Sequence, residues 1–224
     1  MHAFQALVAV NPCPMDKKVR LFPELERSVD KIRDCALPRD RGEVLKPLIA
    51  YVQQKLNTGQ EAHLVFICTH NSRRSQFAQI WAHTAAAVHG IPIQTSSGGT
   101  EVTAFHENAV RSLIRSGFEV VTDGSSINPV YLIRHSPHAE PLRMYSKSYE
   151  DLANASDKFV AVMTCAHADE NCPFIPGAEQ RIPIRYDDPK VFDDSPEAGL
   201  HYDACSLQIA SDMFYIFSKI NTSS

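Results

Sequence analysis

The stretch His63-Leu64-Val65-Phe66-Ile67-Cys68-Thr69-His70-Asn71-Ser72-Arg73-Arg74-Ser75 decides how this chain is read. It opens on an apolar run that predicts a buried strand over Leu64–Cys68. From Ser75 to Val88 the apolar spacing becomes helical. A cysteine therefore stands on a short loop between a strand and a helix, with Arg74 six positions on. Backbone N–H groups of such a loop can converge on one point, and the dipole of the following helix favours negative charge there. A tetrahedral oxyanion held at that point has a thiol beneath it and a guanidinium fork around its oxygens. The loop is read as a site for attack on phosphate or a phosphate-like anion. The bland alternative is a structural cysteine at a strand end beside two surface arginines.

Each loop residue has an expected part. A helix N-terminus and a nearby arginine favour the thiolate, so Cys68 is the expected nucleophile. Ser72 and Ser75 offer hydroxyls to its sulfur. Arg74 grips two anion oxygens, and Asn71 bonds the loop backbone and holds its curvature. Arg73 is read as solvated or steering. Thr69 and His70 complete the loop.

Outward from the loop, strands alternate with helices. Ile93–Ser97 reads as a second strand and Glu107–Ser116 as a helix. Phe159–Thr164 is a third buried strand, Arg181–Arg185 a fourth, and Ala204–Ile220 a closing helix. This order predicts an α/β fold, a four-stranded parallel sheet with helices on both faces. Ligands in such sheets sit beyond the carboxyl ends of strands, where both Cys68 and Cys165 fall. Residues 123–157 show little periodicity and read as a long irregular insertion. Before residue 61, apolar spacing over Leu21–Cys35 and Glu43–Leu56 predicts two helices forming a hairpin or cap. The chain divides into an N-terminal helical extension, 1–60, and a catalytic domain, 61–224.

With 224 residues, 44% hydrophobic and 21% charged, the composition is that of an ordinary globular protein with one ample core. A net charge of −4 gives no general argument for nucleic acid or an anionic membrane as a partner. No apolar stretch approaches the roughly 20 residues that span a bilayer. No basic segment precedes the first short apolar run, so a secretory signal is not expected and a cytoplasmic location is. Six cysteines do not form a disulfide-scaffold pattern. Cys13, Cys35 and Cys205 read as reduced, buried thiols. Seven histidines (His63, His83, His89, His106, His135, His138 and His201) show no metal-ligand spacing.

Cys165 and Cys172 are different. Seven positions apart after a buried strand, they would share one helix face about 10.5 Å apart. A disulfide needs Cα atoms within about 7 Å, so the pair closes only if the segment unwinds. That suits a redox switch, with Pro173 ending the helix just beyond. Two unrelated thiols are the plain alternative. A zinc site with His167 lacks a second ligand pair.

Cys68 through Gln76 resembles the phosphate-binding loop of low-molecular-weight protein tyrosine phosphatases, and more closely that of the thioredoxin-coupled arsenate reductases of that superfamily. Ser97-Gly98-Gly99-Thr100 and Asn108-Ala109-Val110 resemble the family's next segments. The resemblance covers about residues 62–222. His70 stands where the family usually has Gly, and Arg73 where Cys is common. Gln79 replaces an acidic residue associated with a cation site in some reductases, so no metal is expected, and no cofactor either.

The resemblance implies that Asp188, before Pro189, is the general acid, with Asp187 as fallback. By spacing alone Asp187-Asp188-Pro189 is a turn. It also implies a cycle in which Cys68 attacks arsenate, Cys165 attacks Cys68 and releases arsenite, and Cys172 takes over the disulfide for reduction by thioredoxin. The alternative is phosphomonoester hydrolysis through a phosphocysteine at Cys68, with Tyr186 and Phe192 beside the acid as weak support for phosphotyrosine. A third reading, a non-catalytic oxyanion or redox sensor, is motivated by a side chain at His70.

Overall fold

The structure, a computed structural model, describes residues 19–38, 40–122, 124, 126–151, 153–154, 157–172 and 174–222. Cys13 and Pro173 lie outside these. In chain order the elements are α1 (Pro23–Asp34), α2 (Arg41–Asn57), β1 (Ala62–Cys68), α3 (Arg74–His89), β2 (Ile93–Gly99), α4 (Glu107–Ser116), β3 (Glu119–Thr122), β4 (Tyr131–Arg134), β5 (Leu142–Met144), β6 (Phe159–Met163), α5 (Ala166–Asn171), β7 (Ala178–Pro183) and α6 (Ala198–Ser218), with a 3₁₀ turn at Pro189–Phe192.

Four strands form one parallel sheet in the order β2-β1-β6-β7. The central strands are buried on both faces, so they read as continuous apolar runs. Leu64 and Phe66 of β1 face one core, shared with α1, α2, α3 and α6. Val65 and Ile67 face a second core with β6 and α5. Among the described residues no helix is long and apolar enough to cross a membrane.

Two expectations change, and the place of the early helices becomes specific. Within residues 123–157, expected to be irregular, β4 and β5 form an antiparallel meander with the preceding β3. Its strands are three or four residues long, too short to carry a two-residue period. The fourth strand lies at Ala178–Pro183 and not at Arg181–Arg185; its Glu179 and Gln180 are polar and exposed, which hid its start. The two early helices each pack on α6, and Leu25, Val29, Ile32, Leu45 and Leu48 enter the main core.

Gly98 and Gly99 end β2 where the backbone meets the cysteine loop. A Cβ on Gly99 would stand 2.7 Å from Asn71 N and Thr69 O, and one on Gly98 would stand 2.2 Å from Tyr149 Cα. Any side chain here would displace the loop or the segment behind it.

Candidate active site

The loop after β1 is held by its carbonyls. Cys68 O accepts from Thr100 N (3.3 Å), Thr69 O from Glu101 N (2.8 Å) and Ser72 O from His106 N (3.0 Å). His70 O accepts from Ser146 Oγ (2.8 Å) and Asn71 O from Gln76 Nε2 (2.8 Å). Arg73 O accepts from Phe77 N, 3.0 Å away. With these carbonyls turned outward, the intervening N–H groups are left for the inside. Among the described residues no protein group accepts from the amides of residues 69–73. That arrangement is an anion nest at the N-terminus of α3.

Cys68 is buried at the base of this nest, with Sγ 3.0 Å from Ser75 Oγ. Asn71 Nδ2 donates to the same Ser75 oxygen at 2.8 Å. That oxygen accepts from Asn71, which leaves the Ser75 hydroxyl proton available to a Cys68 thiolate. Ser75 thus supplies the expected hydroxyl. Asn71 does not bond the backbone of its own loop with its side chain. Its Oδ1 accepts from Lys147 N across a neighbouring segment.

Arg74 pairs with the Asp188 carboxylate and donates from Nη1 to Tyr186 O at 3.1 Å. Its Nε is buried with no partner among the described residues. Asp188 is extended (φ −86°, ψ 118°), as a residue before proline must be. Its Oδ1 also accepts from Lys190 N. Arg74 and Asp188 are therefore in direct contact.

Cys165 is buried, and Thr69 Oγ1 stands 3.5 Å from its sulfur and 3.3 Å from His167 Nδ1. Cys165 does not lie within a helix. It is the N-cap of α5, accepting from Ala168 N (3.3 Å), and Cys172 is the C-cap. The two thiols bracket six helical residues instead of sharing a face. A thiol can accept from an N2 or N3 amide as a serine does, which ends the helix sooner than the spacing suggested. Cys68, Cys165 and half-buried Cys172 belong to one apolar cluster. Burial pushes the Cys172 thiol up, against the pull of Arg181.

No protein-family model matches the chain. An arsenate reductase of Brevibacillus brevis is 28% identical over 126 residues, 56% of this chain and 75% of its own. Arsenate reductase 2 of Staphylococcus haemolyticus is 27% identical over the same length, 77% of its own. Bacterial arsenate reductases are its sequence relatives. Among solved structures, an arsenate reductase in the oxidised state aligns at 19% identity, over 71% of this chain and 98% of that one, with a TM-score of 0.47. A low-molecular-weight protein tyrosine phosphatase of T. tengcongensis aligns at 18%, over 71% and 100%, also at 0.47.

The residues expected to depart from the resembled loop have local surroundings that explain them. The positive φ of the loop falls on Asn71 (+45°) and not on His70, so a side chain at position 70 meets no backbone strain. His70 turns outward, with Nε2 3.3 Å from Glu101 Oε2. This removes the observation behind a distorted, non-catalytic loop. Gln79 is spent on Thr95 O and Ser97 Oγ of β2.

Arg73 is not solvated. It is buried, donating to Tyr202 OH and Asp193 Oδ2 at 2.5 Å each. Tyr202 OH donates to Asp193 Oδ1 and lies 3.1 Å from His106 Nδ1. Burial, aided by Arg73, holds His106 below the usual histidine range. His106, Asp193 and Tyr202 were not read from the sequence as site residues. No spacing marks them, because they converge from the N-cap of α4, the end of the 3₁₀ turn and α6. Cys35 is exposed and Cys205 buried, so only the second meets expectation. Burial pushes the Cys205 thiol up to about 12, out of reach of ionisation at neutral pH.

Proposed function

We propose that this chain reduces arsenate to arsenite by a three-thiol relay recycled by thioredoxin. The observation that carries the reading is the single apolar cluster holding Cys68, Cys165 and Cys172 against an anion nest. The arsenate reductases among its relatives support the same chemistry.

Arsenate enters the nest and takes the free Nε of Arg74. Cys68 thiolate forms an S–As bond, and the departing oxygen leaves as water with a proton from Asp188. Cys165 thiolate then attacks Cys68 Sγ. The S–As electron pair goes to arsenic, which leaves as arsenite, and a Cys68–Cys165 disulfide forms. Cys172 thiolate attacks Cys165, releasing Cys68 as a thiolate. A dithiol of the thioredoxin class reduces the Cys165–Cys172 bond and restores the enzyme. Three reduced thiols in the resting state fit a cytoplasmic location. The chain's thiols carry the electrons, so no cofactor enters the cycle.

Phosphomonoester hydrolysis uses Cys68, Arg74 and Asp188 but neither further thiol. Of the two aromatics that gave it weak support, Tyr186 is buried beneath Arg41 and Phe192 stacks on His201. The two readings separate on Cys172→Ser. With thioredoxin as reductant, the variant should complete one arsenate reduction and then stop. Continued turnover at the wild-type rate refutes the relay.

A further inference from the structure

Helix α2 lies outside the stretch that resembles the reductases, yet it grips the segment that carries the acid at both ends. At the start of β7, Glu179 accepts from Tyr51 OH (2.7 Å) and pairs with Lys55 Nζ (2.7 Å). At the far end, Arg41 Nη1 donates to Arg185 O at 3.2 Å. The Arg41 guanidinium also lies over the Tyr186 ring, 4.7 Å from its centroid. Two bonds to Asp212 Oδ2 of α6, at 2.9 and 2.7 Å, fix its orientation. Asp212 is 1% exposed, and burial pushes its carboxyl up against the pull of Arg41. Such a pair is costly to break from one side and holds its geometry.

What Arg41 touches is one step from the reacting groups. The carbonyl of Tyr186 accepts from Arg74, and Asp188, two residues on, pairs with the same arginine. The Tyr186 N–H donates to Thr164 O, beside Cys165. The Arg185 side chain pairs with Asp169 of α5, between the two relay thiols.

We propose that α2 is a working part of the active site, with Arg41 a positioning residue that fixes Arg185–Asp188 against Arg74. This rests on the reading of Asp188 as the acid. A planar fork can bond the carbonyl, cover the ring and hold Asp212 at once, which an ammonium does less well. With Arg41 gone, Tyr186 loses the cation on its ring and Arg185 O its donor. The acid then samples positions away from the anion, and misplacement on this scale costs turnover more than binding.

The test uses the full chain. Arg41→Met alone strands the Asp212 carboxylate, so Arg41→Met/Asp212→Leu is made beside it and beside Arg41→Lys. Two readouts are taken: hydrogen exchange in the peptide spanning 184–190, and steady-state arsenate reduction with thioredoxin. The double variant should melt as one cooperative unit and exchange faster in 184–190. Its kcat should fall about tenfold or more with little change in KM. Arg41→Lys should move the same way by less, and it carries the test where the double variant does not fold. Wild-type exchange in 184–190 with wild-type kcat in a folded variant overturns the proposal. Failure of the function itself is distinct: the unaltered protein would then reduce no arsenate, and the exchange readout would still decide on Arg41.

Discussion

Asn71 shows how much one residue holds here. It is fully buried with φ +45°, a region Asn tolerates better than other non-glycine residues. Its amide aims Ser75 at Cys68 and receives Lys147 N. Asn71→Ala should cost about 2–3 kcal/mol in urea unfolding, since it adds backbone strain and strands buried partners. Alkylation of Cys68 by iodoacetamide should slow in the same variant. Asp188→Asn should lower arsenate turnover about a hundredfold or more while sparing KM, because a proton donor acts in the transition state. An unchanged kcat would move the acid to Asp187. The Cys68-to-Arg74 spacing and the bond between Asp188 and Pro189 were legible because both are local. The partners of Arg73 were not. Asp193 lies 120 residues away, and no period links it to the loop.

At the scale of elements, the proposed relay requires α5 to come undone. Its six residues separate two capping thiols, and the Asp169 carboxylate pairs with Arg181 and Arg185. Burial works to raise the Asp169 carboxyl, and the Arg185 and Arg181 bonds overcome it, holding the carboxyl below its ordinary value. Closing Cys165 onto Cys172 must break this clasp, so limited proteolysis within 166–172 should quicken on oxidation and reverse with dithiol. Equal cleavage of both forms would mean that the pair does not close. The meander was illegible for a different reason. Its strands are short, and only Ile133 and Met144 of them are buried, so they carry no burial period of their own. His135, just after β4, stands 5.2 Å from His83 of α3. Burial, with His83 adding to it, lowers His135 from 6.5 to about 4. The unfolded chain takes up that proton as pH falls below 6.5, whereas the folded protein does so only near 4. Stability is therefore complete above pH 6.5 and is lost between 6.5 and 4, on the order of 3 kcal/mol. Urea unfolding at pH 7 and pH 4.5 should show this loss, and His135→Phe should reduce it.

Across the whole molecule, the parallel sheet could be read because its central strands are unbroken apolar runs and its helices are long. Residues 19–57 could be read only as a hairpin or cap. Their apolar spacing marks helices, but nothing local says that Leu25, Leu45 and Leu48 join Trp81 and Phe217 in one core. Removal of that segment should therefore abolish cooperative folding, not merely trim an appendage. Leu48→Ala should cost about 2–5 kcal/mol in the same unfolding transition that monitors the sheet. A separate, earlier transition would make the helices an independent unit. The central claim joins three thiols from two strand ends into one electron path. It is tested most directly by giving the reduced protein one equivalent of arsenate without reductant, alkylating the remaining thiols and mapping the disulfide by mass spectrometry. The account predicts arsenite in equal amount, a Cys165–Cys172 bond and an alkylated Cys68. Arsenate left unreduced with all three thiols free, or a bond that excludes Cys165, would contradict it.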